Sequence, residues 1–126
     1  MPRFVILRHD MPPGSARPSH FDLMFEQGQA LRTWACEALP AIGRATLAEQ
    51  LADHRLAYLD LEGEVSGGRG HVTRVAAGQY ELLVETEGLV RVRLDSEALS
   101  GELTLARETQ PPYRWRVSLS GVASPC

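Results

Sequence analysis

The chain has 126 residues, 44% hydrophobic and 23% charged, with a formal net charge of −3 at pH 7. That length and balance suit one domain spanning 1–126, with a core that needs neither disulfides nor a structural metal. The acidic total argues against a broadly basic surface that coats nucleic acid. No apolar run reaches the roughly 18–20 residues of a membrane span, and FVIL near the N-terminus is too short for a signal-peptide core. A cytoplasmic protein with no membrane partner is expected.

Residues 3–8 (RFVILR) read as a strand, rich in β-branched and aromatic side chains. Pro12, Pro13, Gly14, Ser15, Pro18 and Ser19 make 11–19 a loop. Segments 20–27 and 30–36 read as a hairpin turning about Gly28, with Leu31, Thr33 and Ala35 on one face and Arg32, Trp34 and Cys36 on the other. Cys36 lies in an apolar run and reads as a small core residue, whereas Cys126, the last residue, is expected to fray. Two such thiols make no disulfide framework.

Around Gly43–Leu51 the period changes: Ala45, Leu47, Ala48 and Leu51 have helical spacing, which predicts one short helix. From His54 the alternation of strands returns over 54–61, then a glycine-rich turn, Ser66 to Gly70. Further strands are predicted at 71–76, 79–86, 88–95, 101–107 and 113–119, with turns at Gly78, Glu87-Gly88, Ser100-Gly101 and Pro111-Pro112. Strands at such even spacing suggest a mainly β, antiparallel sandwich or barrel. Val90, Val92 and Leu94 alternate with Arg91 and Arg93, and Trp115 and Val117 with Arg114 and Arg116. Each of these strands should bury one face and present arginine on the other, paired with Glu85, Glu87, Asp95 and Glu97 nearby.

All thirteen basic residues are arginine. The guanidinium is a planar fork suited to phosphate oxygens, so a local phosphate site is compatible with the acidic total. The densest chemistry lies at the rims of the first two strands, where His9 and Asp10 end one and His20 and Asp22 open the next. On a strand His20 and Asp22 share a face. His9, His20 and Asp22 offer two nitrogens and one oxygen, a donor set suited to manganese, zinc or iron. The blander alternative makes them ordinary loop-flanking polar residues. His54 and Tyr58, four residues apart, would share a strand face and suit a phosphate, or else form a half-buried tyrosine beside an exposed histidine.

The order FVILRHD, HFDLMFE, LRTWA, ADHRLAYLDLEGEV, GQYEL, VRVRLDSEALSGELTLAR and YRWRVSL resembles the 3′-phosphoesterase domain of bacterial DNA ligase D over nearly the whole chain. The resemblance implies an antiparallel β-barrel-like fold and a manganese-dependent enzyme of DNA end repair. Such an enzyme hydrolyses a 3′-phosphate or removes 3′-terminal ribonucleosides. It implies His9, His20 and Asp22 as ligands of a divalent metal, with manganese expected. His54 and Tyr58 would be the catalytic pair at the scissile phosphate, and Arg8 and Asp10 would flank the first ligand. The implied partners are DNA or RNA-tailed DNA 3′ ends, with a DNA ligase or other end-joining protein alongside. In the family pattern an arginine that acts on the phosphate stands where this chain has Met24. Methionine offers no charge-assisted contact; Arg17 or Arg69 would have to supply one. The alternative is therefore a non-catalytic, metal- or phosphate-binding barrel that docks DNA ends or a repair partner. A small-ligand barrel with no nucleic-acid role is a third reading.

Overall fold

The computed structural model describes residues 1–121; the expectation for Cys126 lies outside them. Nine strands are present: β1 (Arg3–Asp10), β2 (His20–Gln27), β3 (Ala30–Cys36), β4 (Thr46–Arg55), β5 (Gly63–Glu64), β6 (His71–Thr86), β7 (Leu89–Asp95), β8 (Gly101–Arg107) and β9 (Trp115–Ser120). Every ladder between them is antiparallel. The order β1-β2-β3-β4-β9-β8-β7-β6 returns to β1 through β6, which closes an eight-stranded barrel and leaves β5 outside the wall. Closure satisfies the backbone groups that an open sheet would expose at its edges.

The expected helix at 43–51 is absent: Thr46–Arg55 is a strand. Alanine and leucine fit a helix locally, but here they complete the wall. Cys36 pairs with Ala48 on one side, and Thr46 and Ala48 pair with Val117 and Trp115 on the other. A helix at this point would leave β3 and β9 with open edges, so ladder pairing overrides local propensity. The strand expected over 54–61 is also corrected. β4 ends at Arg55, and Leu56–Asp60 forms a single 3-10 turn. The two strands predicted at 71–76 and 79–86 are one, β6. Its first part pairs with β1 and its last part with β7, so the chain runs on through Gly78 to serve both neighbours.

Alternation sends two sets of side chains to opposite sides of the β1–β3 wall. Phe4, Ile6, Leu23, Phe25, Trp34 and Cys36 face inward, where they pack with Val92, Leu103 and Trp115. Edge-to-face contacts link Phe25 to Trp34 (5.9 Å) and Trp34 to Trp115 (5.4 Å), the geometry ring quadrupoles favour. Val5, Leu7, Met24 and Leu31 face outward yet are buried, because Leu59, Val65 and Val72 pack over them. The 3-10 turn and β5 thus cap a second, smaller core on the outside of the barrel. That outer core is what the His9, His20 and Asp22 side adjoins.

The arginine faces exist, but their partners among the described residues are not the expected ones. Arg93 meets Glu81 at 2.7 Å and Arg114 meets Glu37, while Glu85 pairs with Arg32 and Glu87 with Arg107. At the other end of the wall, Arg3 grips both carboxylate oxygens of Glu26 at 3.0 and 2.8 Å and adds its backbone N–H at 2.9 Å. These hydrogen bonds hold the Glu26 carboxyl down at about 2. A depressed carboxyl stabilises the fold above its unfolded value, and that contribution is lost as pH falls through about 2. Carbon-detected NMR titration of Glu26 should therefore show no midpoint between pH 3 and 5; an ordinary glutamate midpoint there would mean the Arg3 clasp is not formed.

Candidate metal centre and its surroundings

The β1–β2 ladder ends by pairing His9 with His20, and Leu7 pairs with Asp22 one row earlier on the same side. The loop between the strands is fastened at its base by the Met11 N–H, which donates to Ser19 Oγ at 2.9 Å. That fastening keeps the last pair in register. His9, His20 and Asp22 consequently converge, with one ligand atom from each lying within 4.8 Å of the others. Asp22 and His20 are buried and His9 is nearly so.

Backbone carbonyls set the tautomer of each imidazole. His9 Nε2 donates to the Arg69 carbonyl at 2.7 Å, and His20 Nδ1 donates to the Pro18 carbonyl at 2.9 Å. A carbonyl only accepts, so the hydrogens sit on those nitrogens. The other two, His9 Nδ1 and His20 Nε2, face the Asp22 carboxylate at 3.2 and 3.0 Å. Asp22 Oδ1 is buried and receives no directed hydrogen bond, despite that short distance to His20. Two ring nitrogens and a carboxylate oxygen this close together form a donor set that a cation would complete. Ligands 2.0–2.2 Å from a shared ion stand roughly 3–4 Å apart, so the donor set fits a divalent metal. The carbonyls then act as the outer partners that hold metal-binding histidines in place. Burial pulls the His20 pKa down, but the hydrogen bonds to Asp22 and Pro18 and the Asp22 charge together raise it. The pocket draws positive charge.

The Arg69 carbonyl was not foreseeable as a partner of His9. It arrives because Gly70, at φ +97°, lets the 66–70 turn lie against the end of β1; a Cβ there would sit 2.2 Å from the Asp10 carbonyl oxygen. Gly70→Ala should push that turn away and leave His9 Nε2 unpartnered. Loss of such an outer partner typically costs about 10–100-fold in metal affinity, which titration calorimetry with manganese would register. An unchanged affinity would show that the carbonyl does not orient His9.

The remaining predicted site residues are distributed as follows. His54 and Tyr58 are not on one strand, yet their rings meet edge-to-face at 5.1 Å across the strand-to-turn junction. His54 Nδ1 donates to the Ala52 carbonyl at 2.9 Å, leaving Nε2 free. His54 pairs with Leu31, two rows from the Asp22–Ala35 row, and the row of Met24 and Thr33 lies between. Met24 is 1% exposed and belongs to the outer apolar core, against which Tyr58 also packs. Arg8 and Asp10 pair with each other at 3.3 Å and alternate with His9, so they project to the other side of β1. The Arg69 side chain folds back on Ser66. Arg17 pairs with Glu49 at 3.4 Å beside His20. Burial, helped by the Asp22 charge, pushes the Cys36 thiol up to about 12, so it is an inert core group.

Fold and geometry together give a closed antiparallel barrel with a histidine–histidine–aspartate cluster on its outer wall that could hold a cation. The family model of the DNA ligase D 3′-phosphoesterase domain matches residues 13–107, and the chain belongs to that family. The matched span includes His20, Asp22, His54 and Tyr58 and begins after His9. The chain is also 33% identical over 115 residues to the multifunctional non-homologous end joining protein LigD of Pseudomonas aeruginosa. That alignment covers 83% of this chain and 13% of the relative, so the chain spans a small part of the relative's length. Among the described residues no helix is long and apolar enough to cross a membrane.

Proposed function

We propose that this chain is a metal-dependent 3′-phosphoesterase-like protein of DNA end repair, which hydrolyses a 3′-phosphate or removes a 3′-terminal ribonucleoside. The observation that carries the reading is the convergence of one potential ligand atom each from His9, His20 and Asp22 in a largely buried pocket. Family membership supports the end-repair context. A manganese ion held by these residues would polarise a phosphate oxygen and lower the pKa of a water beside it. The protein's own part is to hold the two imidazoles in one tautomer and to keep bulk water from the carboxylate. His54, once protonated at Nε2, and the Tyr58 hydroxyl each present a hydrogen to the phosphate as negative charge accumulates on its oxygens.

Manganese added to the purified protein should release the 3′-phosphate from a primer–template, and a chelator should stop it. No product at stoichiometric protein, with a control phosphatase active on the same substrate, would refute the catalytic reading.

A second reading is a non-catalytic barrel that docks DNA ends. It is favoured by Met24, which places a buried thioether in the outer core where the family pattern has a guanidinium.

A further inference from the structure

We infer that the metal centre opens into a strand-binding trough whose walls are two arginine–glutamate latches, Arg17–Glu49 and Arg114–Glu37, and that a nucleic-acid backbone enters by displacing the glutamates. The inference rests on the end-repair reading for the identity of the strand.

Register defines the trough. Asp22 pairs with Ala35, and Ala35 pairs with Glu49, so the three side chains lie in one row on the outer face of the wall. Neighbouring strands are about 4.8 Å apart, which puts Glu49 roughly 10 Å from the Asp22 position. The residue between them carries only a methyl group. Ala35 thus forms a low floor, and His20 forms one end of the same cleft. β9 supplies the far wall: its ladder with β4 stops at the Ala48–Trp115 pair, so Arg114 lies just past the last paired row.

Both guanidiniums on this cleft are held by a carboxylate. Arg17 reaches Glu49 only at 3.4 and 3.5 Å, and Arg114 meets Glu37 in a close contact. All four side chains are substantially exposed. Exposed pairs of this kind are weak and screened by salt. A phosphodiester offers the guanidinium the same forked acceptor geometry as the carboxylate. The empty trough is thus charge-balanced, consistent with the acidic composition, and becomes basic only when a strand takes over the two guanidiniums.

Fluorescence anisotropy with the full-length protein in manganese buffer tests this, using a labelled DNA oligonucleotide that ends in a 3′-hydroxyl and cannot be hydrolysed at a 3′-phosphate. Arg17→Ala and Arg114→Ala should each weaken binding about fivefold or more and reduce the salt slope by about one. Glu49→Gln and Glu37→Gln should tighten it severalfold. Arg93→Ala, which removes a latched arginine of the open strand face, should change binding less than twofold. Equal affinity and salt slope for the wild type and both cleft arginine variants, or no binding by the wild type, overturns the trough. Arginine-dependent binding without 3′-phosphate release sinks the catalytic reading and keeps the trough; release unaffected by either arginine variant does the reverse.

Discussion

Asp22→Asn is expected to abolish manganese binding and, with it, 3′-phosphate release. Asparagine preserves the shape of the side chain but removes its charge and replaces one acceptor oxygen with an NH2 group. The cluster is built around that carboxylate: both imidazoles face it, and each is oriented by a backbone carbonyl. Losing an outer partner of a ligand costs about 10–100-fold in affinity, so losing the charged ligand itself should cost more than about 100-fold. The fold should survive, because Asp22 lies outside both apolar clusters and the polar contacts it loses are worth about 1–2 kcal/mol. Calorimetric titration with manganese, beside a chemical denaturation curve of the metal-free protein, separates the two effects. Wild-type metal affinity in a folded Asp22→Asn variant would show that the ion sits elsewhere.

Met24→Arg should act on stability and chemistry in opposite directions. Met24 is 1% exposed among Val5, Leu7, Leu31 and Leu59, and a guanidinium placed there loses hydration that the apolar neighbours cannot replace. A loss of about 1–3 kcal/mol is expected, limited because a long arginine stem can carry its charge toward the edge of the cluster. The position shares its strand face with Asp22 and lies between the metal centre and the His54–Tyr58 pair. A guanidinium reaching out of it supplies the charge-assisted phosphate contact that methionine lacks, worth roughly 1.5–3 kcal/mol or about 10–100-fold in rate if made in the transition state. Enhanced release with reduced denaturation midpoint is the expected pair of results. Release that appears only in the arginine variant favours the docking reading for the natural chain; release that falls below the wild type would show that Met24 is part of a working site.

The outcome at β4 shows where local sequence stops being sufficient. Ala45, Leu47, Ala48 and Leu51 satisfy a helical period, and nothing within ten residues contradicts it. What contradicts it is β9, some seventy positions away, which needs Thr46–Ala48 as its partner. The same holds for 54–61, where alternation was read through Leu56–Asp60 although that turn caps the outer core. Strands β7, β8 and β9 were legible because their alternation is strict, and β1, β2 and β3 because β-branched and aromatic residues concentrate between segments marked by glycine and proline. In the site, His9, His20 and Asp22 were legible because adjacent antiparallel strands bring sequence-near rims together. The contacts of Glu37 and of the Arg69 carbonyl were not, since no local pattern reports which distant segment reaches them.

By itself the sequence determined most of the barrel's strands, the family to which the chain belongs, and the placement of His9, His20 and Asp22 together at the β1–β2 rim. These follow from period, turn chemistry and short-range pairing. Only the tertiary structure decided that β4 is wall rather than helix, that Met24 is sealed in an outer core, and that the distant Arg69 carbonyl fixes the His9 tautomer. Each of those depends on closing the barrel, and closure is a property of pairing between strands far apart in the chain.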